Sequence, residues 1–380
     1  MPRLVRDLIR AALGFALALV MPAPALGARV FGPSAKPPLE YVLQTVDRHP
    51  VVLLGEAHWT RHDARFVRSL VRPLAERGVV LAAEFWPASE QEQLDRLLAA
   101  SEWDAALAMR LMRVAAWPYR EYLDILHESW RVSRERPGSM RVLGLAPDAD
   151  WRERKISYDG FMADRVSTEV AAGRHVLVYC GIHHAFTRYH QPELDLAGQA
   201  RSFMDRAGNI LRRRFGERVF LVTLHRPVWC GKEPWSYCLP LDGAIDCVAA
   251  GDSGPVGFDV ATSSFADRVI DPSVYYAHGY PRLRLDELTD GIVWLGPIEF
   301  YELVELIPLD EYAPDETALA EVVRNNPFSS EPGMTREQLA ALWSEEQARR
   351  ADPLEARGFG HLRGWRGACR QPEPGSATKE

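Results

Sequence analysis

Val51-Val52-Leu53-Leu54-Gly55-Glu56-Ala57-His58 and His175-Val176-Leu177-Val178-Tyr179-Cys180-Gly181-Ile182-His183-His184 share one pattern: an apolar run, a glycine, and a histidine three residues later. Each run is short and lacks polar alternation, so it reads as a strand buried on both faces. The glycine lets the backbone turn sharply where the strand ends and approach a neighbouring group closely. The histidine is then projected over the end of the strand. Both motifs are followed by basic residues, Arg61-His62 in one and Arg188 and His190 in the other. Apolar runs at 79–83, 141–145 and 219–223 extend the same reading to further strands.

Between these runs the period changes to that of helices. Phe66, Val67, Leu70, Val71 and Leu74 recur on one face before Gly78, and Pro73 is expected to kink or shorten that helix. Ser89 with Glu92 reads as a capping box ahead of Leu94, Leu97 and Leu98. Tyr119, Tyr122, Leu123, Leu126 and Trp130 line another helix, a stripe that reads as core. Buried strands separated by helices imply an α/β fold, a largely parallel central sheet flanked by helices.

After Pro227 the composition shifts to a loop-rich α+β extension. Residues 227–257 are rich in Gly, Pro and Cys and read as an ordered loop or hairpin, with a disulfide among Cys230, Cys238 and Cys247 expected in an oxidising compartment. Strands are expected at 256–260 and 292–295, a short helix at 299–306 and a charged surface helix at 336–350. The chain thus divides into a leader 1–27, an α/β core 28–227, an extension 228–352 completing that core, and a polar tail 353–380.

The leader has the parts of a signal peptide. Arg3, Arg6 and Arg10 precede an apolar run at 11–21, and Ala25-Leu26-Gly27 supplies small residues for cleavage after Gly27. The run ends at Pro22, short of the roughly 20 apolar residues a span needs, so no membrane span is expected in the mature chain. The first cysteine is Cys180, so no lipidated cysteine follows the leader. The expectation is a periplasmic or secreted protein that is not a lipoprotein. Net charge is −7, and the leader takes away more arginine than aspartate, so the remainder is more acidic still. Nucleic-acid binding through a basic face is not expected.

In open parallel sheets, ligands bind beyond the carboxyl ends of the strands. Every expected strand here ends on ionisable groups: Glu56 and His58, then Glu84, Asp148, His183 and His184, and finally His225 and Arg226. His225 and Asp148 read as structural, and His62 as lying on a solvated face. Gly251-Asp252-Ser253-Gly254-Pro255 mimics a serine-protease nucleophile loop, but an α/β chain without the matching histidine context explains it as turn chemistry. HExxH, Walker, GxSxG and CxxCH motifs are absent.

Gly55-Glu56-Ala57-His58, Glu84, Trp117-Pro118-x-Arg120 and Gly181-x-x-His184 together resemble the Tiki/ChaN superfamily over roughly residues 39–227. That superfamily joins Tiki-type metalloproteases, TraB-like proteins, erythromycin-esterase-like enzymes and ChaN haem-binding proteins. The resemblance implies a shared cleft lined by Glu56, His58, Glu84 and His184, with Arg120 beside them. The cysteine-bearing segment after Pro227 has no counterpart in it.

Two chemistries suit these residues. His58, Glu84 and His184 are borderline ligands for a divalent metal of the zinc, manganese or cobalt class, which would lower the pKa of bound water to ~7. Without metal, a glutamate–histidine pair activates water directly, with Arg120 on the oxyanion. The metal-assisted route is the one expected first, and either route hydrolyses an ester or amide in a small-molecule or peptide substrate. The alternative is haem or iron capture, with Tyr119, Tyr122, Tyr189, His183 and His190 as the ligand supply.

Overall fold

The protein is described from a computed structural model covering residues 30–148, 151, 153–195, 199–230, 237–325 and 334–362. The expected leader and the polar end from 371 lie outside these residues. Among those described, no helix is long and apolar enough to cross a membrane.

The expected strands form as β1 (Val51–Glu56), β2 (Val80–Pro87), β3 (Val142–Ala146) and β4 (Val176–Gly181). After a small hairpin, β5 (Gln191–Leu194) with β6 (Ala200–Met204), comes β7 (Val219–Leu224). A second hairpin, β8 (Val228–Trp229) with β9 (Tyr237–Cys238), precedes β10 (Val256–Asp259) and β11 (Gly291–Trp294). One seven-stranded sheet runs in the order β10-β11-β7-β1-β4-β2-β3. Its pairs are parallel except β10 with β11. Extension and core therefore share one sheet.

Alternation along the strands sorts the interior into two layers. Val52, Leu54, Leu177 and Tyr179 face helices Arg61–Glu76 and Arg120–Glu135, while Val51, Leu53, Val178 and Cys180 face helices Tyr158–Ala171 and Ala207–Phe215. Each fully buried aliphatic side chain contributes about 1.5–3 kcal/mol, so both layers hold the sheet firmly.

The chain departs from its local signals in several places. Helix Arg61–Glu76 continues through Pro73, which falls in its last turn. The ring costs a backbone hydrogen bond there, but burial of Val67, Leu70, Val71 and Leu74 keeps the helix on the sheet. The Ser89–Glu92 capping box does not form. Instead a 3-10 turn, Ala88–Glu90, leads into helix Gln91–Ala99, and Gln91 spends its side chain on β3, donating to the Val142 carbonyl at 3.0 Å. Residues 299–306 are not a helix beyond the turn Ile298–Phe300. Leu303 bridges Thr60 and Leu306 bridges Tyr119. Val304 and Leu306 are buried with exposed Glu305 between them, the period of extended chain. Cys247 is disulfide-bonded, but Cys230 and Cys238 are free thiols, so that trio holds no internal bridge. Residues 353–362, placed in the polar tail, pack onto the body through buried Leu354 and Phe359.

β1 is where the strand order reverses. The chain runs from β1 to β2 and β3 on one side, while β7, β11 and β10 build the other, and β4 returns to lie between β1 and β2. This puts both glycine–histidine motifs on adjacent central strands, with Glu56 opposite Gly181 in the register. β2, carrying Glu84, is the other neighbour of β4.

Candidate active site: two histidines on one carboxylate

The insertion of β4 between β1 and β2 brings His58, His184 and Glu84 together. His58 Nε2 lies 2.9 Å from Glu84 Oε1, and His184 Nε2 lies 3.8 Å from Glu84 Oε2. Each imidazole is backed by a second carboxylate on its other nitrogen: His58 Nδ1 reaches Glu56 Oε1 at 2.8 Å, and His184 Nδ1 reaches Asp159 Oδ1 at 2.8 Å. Glu56 and Glu84 are essentially buried, while the His58 and His184 side chains keep 28% and 23% of their surface, so the imidazoles form the accessible face.

Gly181 explains how the His58 ring can come so close. A Cβ there would sit 2.4 Å from His58 Nε2. On the other side, His58 and Trp59 have φ of 54° and 59°, left-handed values that cost non-glycine residues about 1–3 kcal/mol each. Contacts from distant segments hold this turn. The Trp59 N–H donates to Tyr122 Oη at 3.1 Å, and Arg357 donates to the carbonyls of His58 and Ala57 at 3.0 Å each. The Val304 N–H donates to the Trp59 carbonyl at 2.9 Å. Trp117 packs against the His58 ring at 5.0 Å, and Tyr158 stacks on His184 at 5.2 Å.

Charge within the cluster follows from these contacts. Burial opposes a charge on His58, but Glu84 and the hydrogen bonds to Glu56 and Glu84 outweigh it, raising its pKa to about 10. Burial likewise opposes the charge on Glu84, yet His58, His184 and the Gly181 N–H hold its pKa below the usual value. Asp159 is also kept low against burial, by His184, the Ala207 N–H and Arg206. Glu56 accepts from Tyr122 Oη at 3.0 Å and from the Tyr179 hydroxyl. Burial, then Glu56, pushes both phenols well up, so they stay protonated donors.

Of the residues expected in the cleft, Glu56, His58, Glu84 and His184 converge and Tyr122 supports them. Arg120 does not: its guanidinium is taken by Glu311 at 2.8 and 2.5 Å on the outer surface. The Trp117-Pro118-x-Arg120 motif contributes Trp117 instead. His183, expected as a cofactor ligand, turns away from Glu84 to meet Tyr276 Oη at 3.1 Å, beside Trp229 and Phe186. Burial, then Arg226, lowers its pKa to about 3. His62 lies against Tyr301 and is lowered to about 4 by burial and Arg357. His225 is structural, bonded through Nε2 to buried Asp246 at 2.7 Å. Asp148 is exposed and pairs with Arg154 at 3.2 Å.

Asp159, Tyr179 and Arg357 were missed. Asp159 opens helix Tyr158–Ala171 after the N-cap Ser157, where an acid reads as a helix-terminus preference. Tyr179 sits inside an apolar strand and carries no local mark of its role.

The proposed cofactors find no ready seat. Among the described residues no group of three or more His, Cys, Asp or Glu side chains is placed to hold a metal ion. A histidine ligand needs a free lone pair on one ring nitrogen, whereas His58 lies within hydrogen-bond distance of carboxylates through both. The expected haem ligands do not share a face. Tyr119 and Tyr122 are buried in one layer, Tyr189 in the other, and His190 is at the surface 3.0 Å from Asp205.

Comparison with known proteins agrees with this architecture. No curated protein sequence matches the chain. A succinoglycan biosynthesis protein superposes with a TM-score of 0.50 at 10% identity, covering 71% of this chain and 95% of that one. A Bacillus cereus protein gives 0.49 at 12% identity over 74% and 97% of the two chains. An erythromycin esterase mutant in its open conformation gives 0.48 at 12% over 71% and 95%. At such identities the likeness concerns the fold alone. Residues 42–134, which carry Glu56, His58 and Glu84, match the family model described as haem-binding uptake, Tiki superfamily, ChaN. The likeness to that family is confined to this segment, which is less than half of the chain.

Proposed function

We propose that the chain is an exported hydrolase that activates water without a resident metal and cleaves an ester or amide. One observation carries this reading: a single buried carboxylate, Glu84, faces an imidazole on each oxygen, and each imidazole is oriented by a carboxylate of its own. Asp159 accepts from His184 Nδ1–H, which fixes the tautomer with the Nε2 lone pair outward, as in an Asp–His dyad. Among the described residues Glu84 Oε2 accepts no hydrogen bond. A water donating one O–H to His184 Nε2 and the other to Glu84 Oε2 satisfies both acceptors. His184 then takes the proton as the water attacks the carbonyl carbon. His184 passes that proton on to the leaving oxygen or nitrogen, while His58, held as the imidazolium between Glu56 and Glu84, supplies positive charge beside the developing oxyanion. Two similar side chains thus take different roles because their neighbours differ.

The test is hydrolysis of a panel of esters and amides by the purified protein, before and after dialysis against a chelator. His58→Ala and His184→Ala are each expected to lose roughly 10²–10⁴-fold in rate, with chelation changing little. Undiminished turnover by His58→Ala removes the mechanism, and loss of turnover on chelation removes its metal-free form.

The family match supports a second reading, haem capture for uptake. Titration with haemin separates the two: a saturable Soret shift at micromolar protein favours capture, and its absence leaves the hydrolase.

A further inference from the structure

Arg226 and Arg357 differ from most part-buried arginines of the fold. Arg61, Arg113, Arg141 and Arg206 each lie within ion-pair distance of a carboxylate. Neither Arg226 nor Arg357 has a carboxylate partner among the described residues, and both are half-buried.

The sheet brings them to one place. Gly55 pairs with Thr223 in the β1–β7 register, so Ala57-His58 and His225-Arg226 leave the sheet side by side. Arg357 reaches this edge from the far end of the chain and binds the carbonyls of Ala57 and His58. Those two bonds use two of its five N–H donors and leave the rest. Arg226 holds only a 3.4 Å contact to Tyr276 Oη.

The surrounding groups do not neutralise them. His62 and His183 are uncharged, their pKa values lowered by burial and by these same arginines. Tyr276 and Tyr301 carry phenols, and Tyr301 is anchored through its hydroxyl to the His225 carbonyl at 2.8 Å. The nearby acid, Asp63, is buried, and burial followed by Glu56 raises its pKa well above the usual carboxylate value against the pull of Arg226 and Arg357; it makes no ion pair with either arginine. Arg226 is the foremost charge acting on Arg357, and together with burial it holds that guanidinium below its ordinary value.

Two cations share a partly desolvated edge with no carboxylate within ion-pair distance among the described residues, in a chain whose net charge is −7. An oxyanion seated between them would relieve the repulsion and meet planar donors suited to carboxylate and phosphate.

We propose that Arg226 and Arg357 form an oxyanion-binding subsite beside the His58–Glu84–His184 cluster, receiving a carboxylate or phosphate group of the ligand. What the subsite serves rests on the hydrolase reading: it selects anionic substrates and places the bond to be cut over the imidazoles. The subsite itself is tested without turnover. Calorimetric titration of the full chain uses inorganic phosphate in one arm and benzoate in the other. Saturable binding of either is expected, and the arm that binds identifies the source chemistry. Loss of one charge-assisted bond should weaken it roughly tenfold or more in Arg226→Gln. Arg226 has little structural bonding, so that variant keeps its fold, checked by its melting temperature. Arg357→Lys, which keeps the charge but not the fork, is expected to weaken binding as well. Equal affinity in wild type and Arg226→Gln overturns the proposal, as does failure of both anions to saturate the wild type. An inactive protein that still binds the anion through Arg226 refutes the hydrolase reading and leaves the subsite standing.

Discussion

Gly181→Ala tests the site with the least disturbance elsewhere. The backbone at Gly181, φ −55° and ψ 139°, suits alanine, so the substitution introduces no backbone strain. The added methyl would lie 2.4 Å from His58 Nε2 and 2.8 Å from Cε1, where ordinary contact begins at 3.4 Å. The ring must therefore retreat by about 1 Å. It has little freedom to do so, because Nδ1 is tied to Glu56 at 2.8 Å and Nε2 to Glu84 at 2.9 Å. A retreat of that size breaks the Glu84 contact. A hydrogen bond between charged partners is worth about 1.5–3 kcal/mol, and a 1 Å misplacement of a reacting group costs on the order of 10² in rate. The expected variant folds, melts somewhat earlier, and hydrolyses about 100-fold more slowly. Its decisive signature is the His58 imidazole followed by NMR. The wild-type ring is expected to titrate near pH 10, and the variant's well below that, because Glu84 no longer faces it. A variant whose His58 titrates as in wild type, with undiminished turnover, would show that the close packing of Gly181 on His58 has no functional weight.

Other perturbations read other parts of the cluster. Asp159→Asn keeps the shape but presents an amide to His184 Nδ1, so the tautomer is no longer fixed; kcat is expected to fall at least tenfold with a smaller change in KM. An unchanged kcat would reduce Asp159 to a helix-terminus residue. The pKa of His58 is raised from 6.5 to about 10 on folding, so its stabilising contribution is complete below about pH 6.5 and lost as pH rises toward 10. Urea unfolding of wild type and His58→Gln should accordingly show a stability gap that narrows over that window; a gap that widens with pH contradicts the assignment of charge. Arg120→Ala removes a surface pair with Glu311, for which stability should change by about 0.2–1 kcal/mol and turnover not at all. A large loss of turnover would return Arg120 to the cleft.

What was legible in the sequence follows from the range of each physical signal. Strand periodicity is local, and β1, β2, β3, β4 and β7 lie where the apolar runs placed them. Pro73 misled because helix packing onto the sheet is a tertiary gain that no local rule weighs. The stretch after Ile298 is extended because it bridges Thr60 and Tyr119, partners outside any sequence window. The site divides in the same way. His58 and His184 were legible because a strand-end glycine followed by a histidine is a local pattern, and its repetition pointed to a shared purpose. Asp159, reaching His184 from another element, and Arg357, bonded to carbonyls at residues 57 and 58, carry no such mark.

The repeat also constrains more than each motif alone. Two imidazoles projected from parallel strands can meet one carboxylate only if the strand bearing it is close to both. Strands in a sheet lie about 4.8 Å apart, so a glutamate on β2 is within reach of His58 only with β4, and nothing wider, between β1 and β2. The observed order β1-β4-β2 is that arrangement. With β4 between the two carboxylates, any side chain at the end of β4 would block the path from His58 to Glu84. The glycine of the second motif, at position 181, leaves that path open for the histidine of the first. The two motifs are therefore not independent copies: the glycine of one makes room for the histidine of the other, and that coupling turns a pair of strand ends into a site.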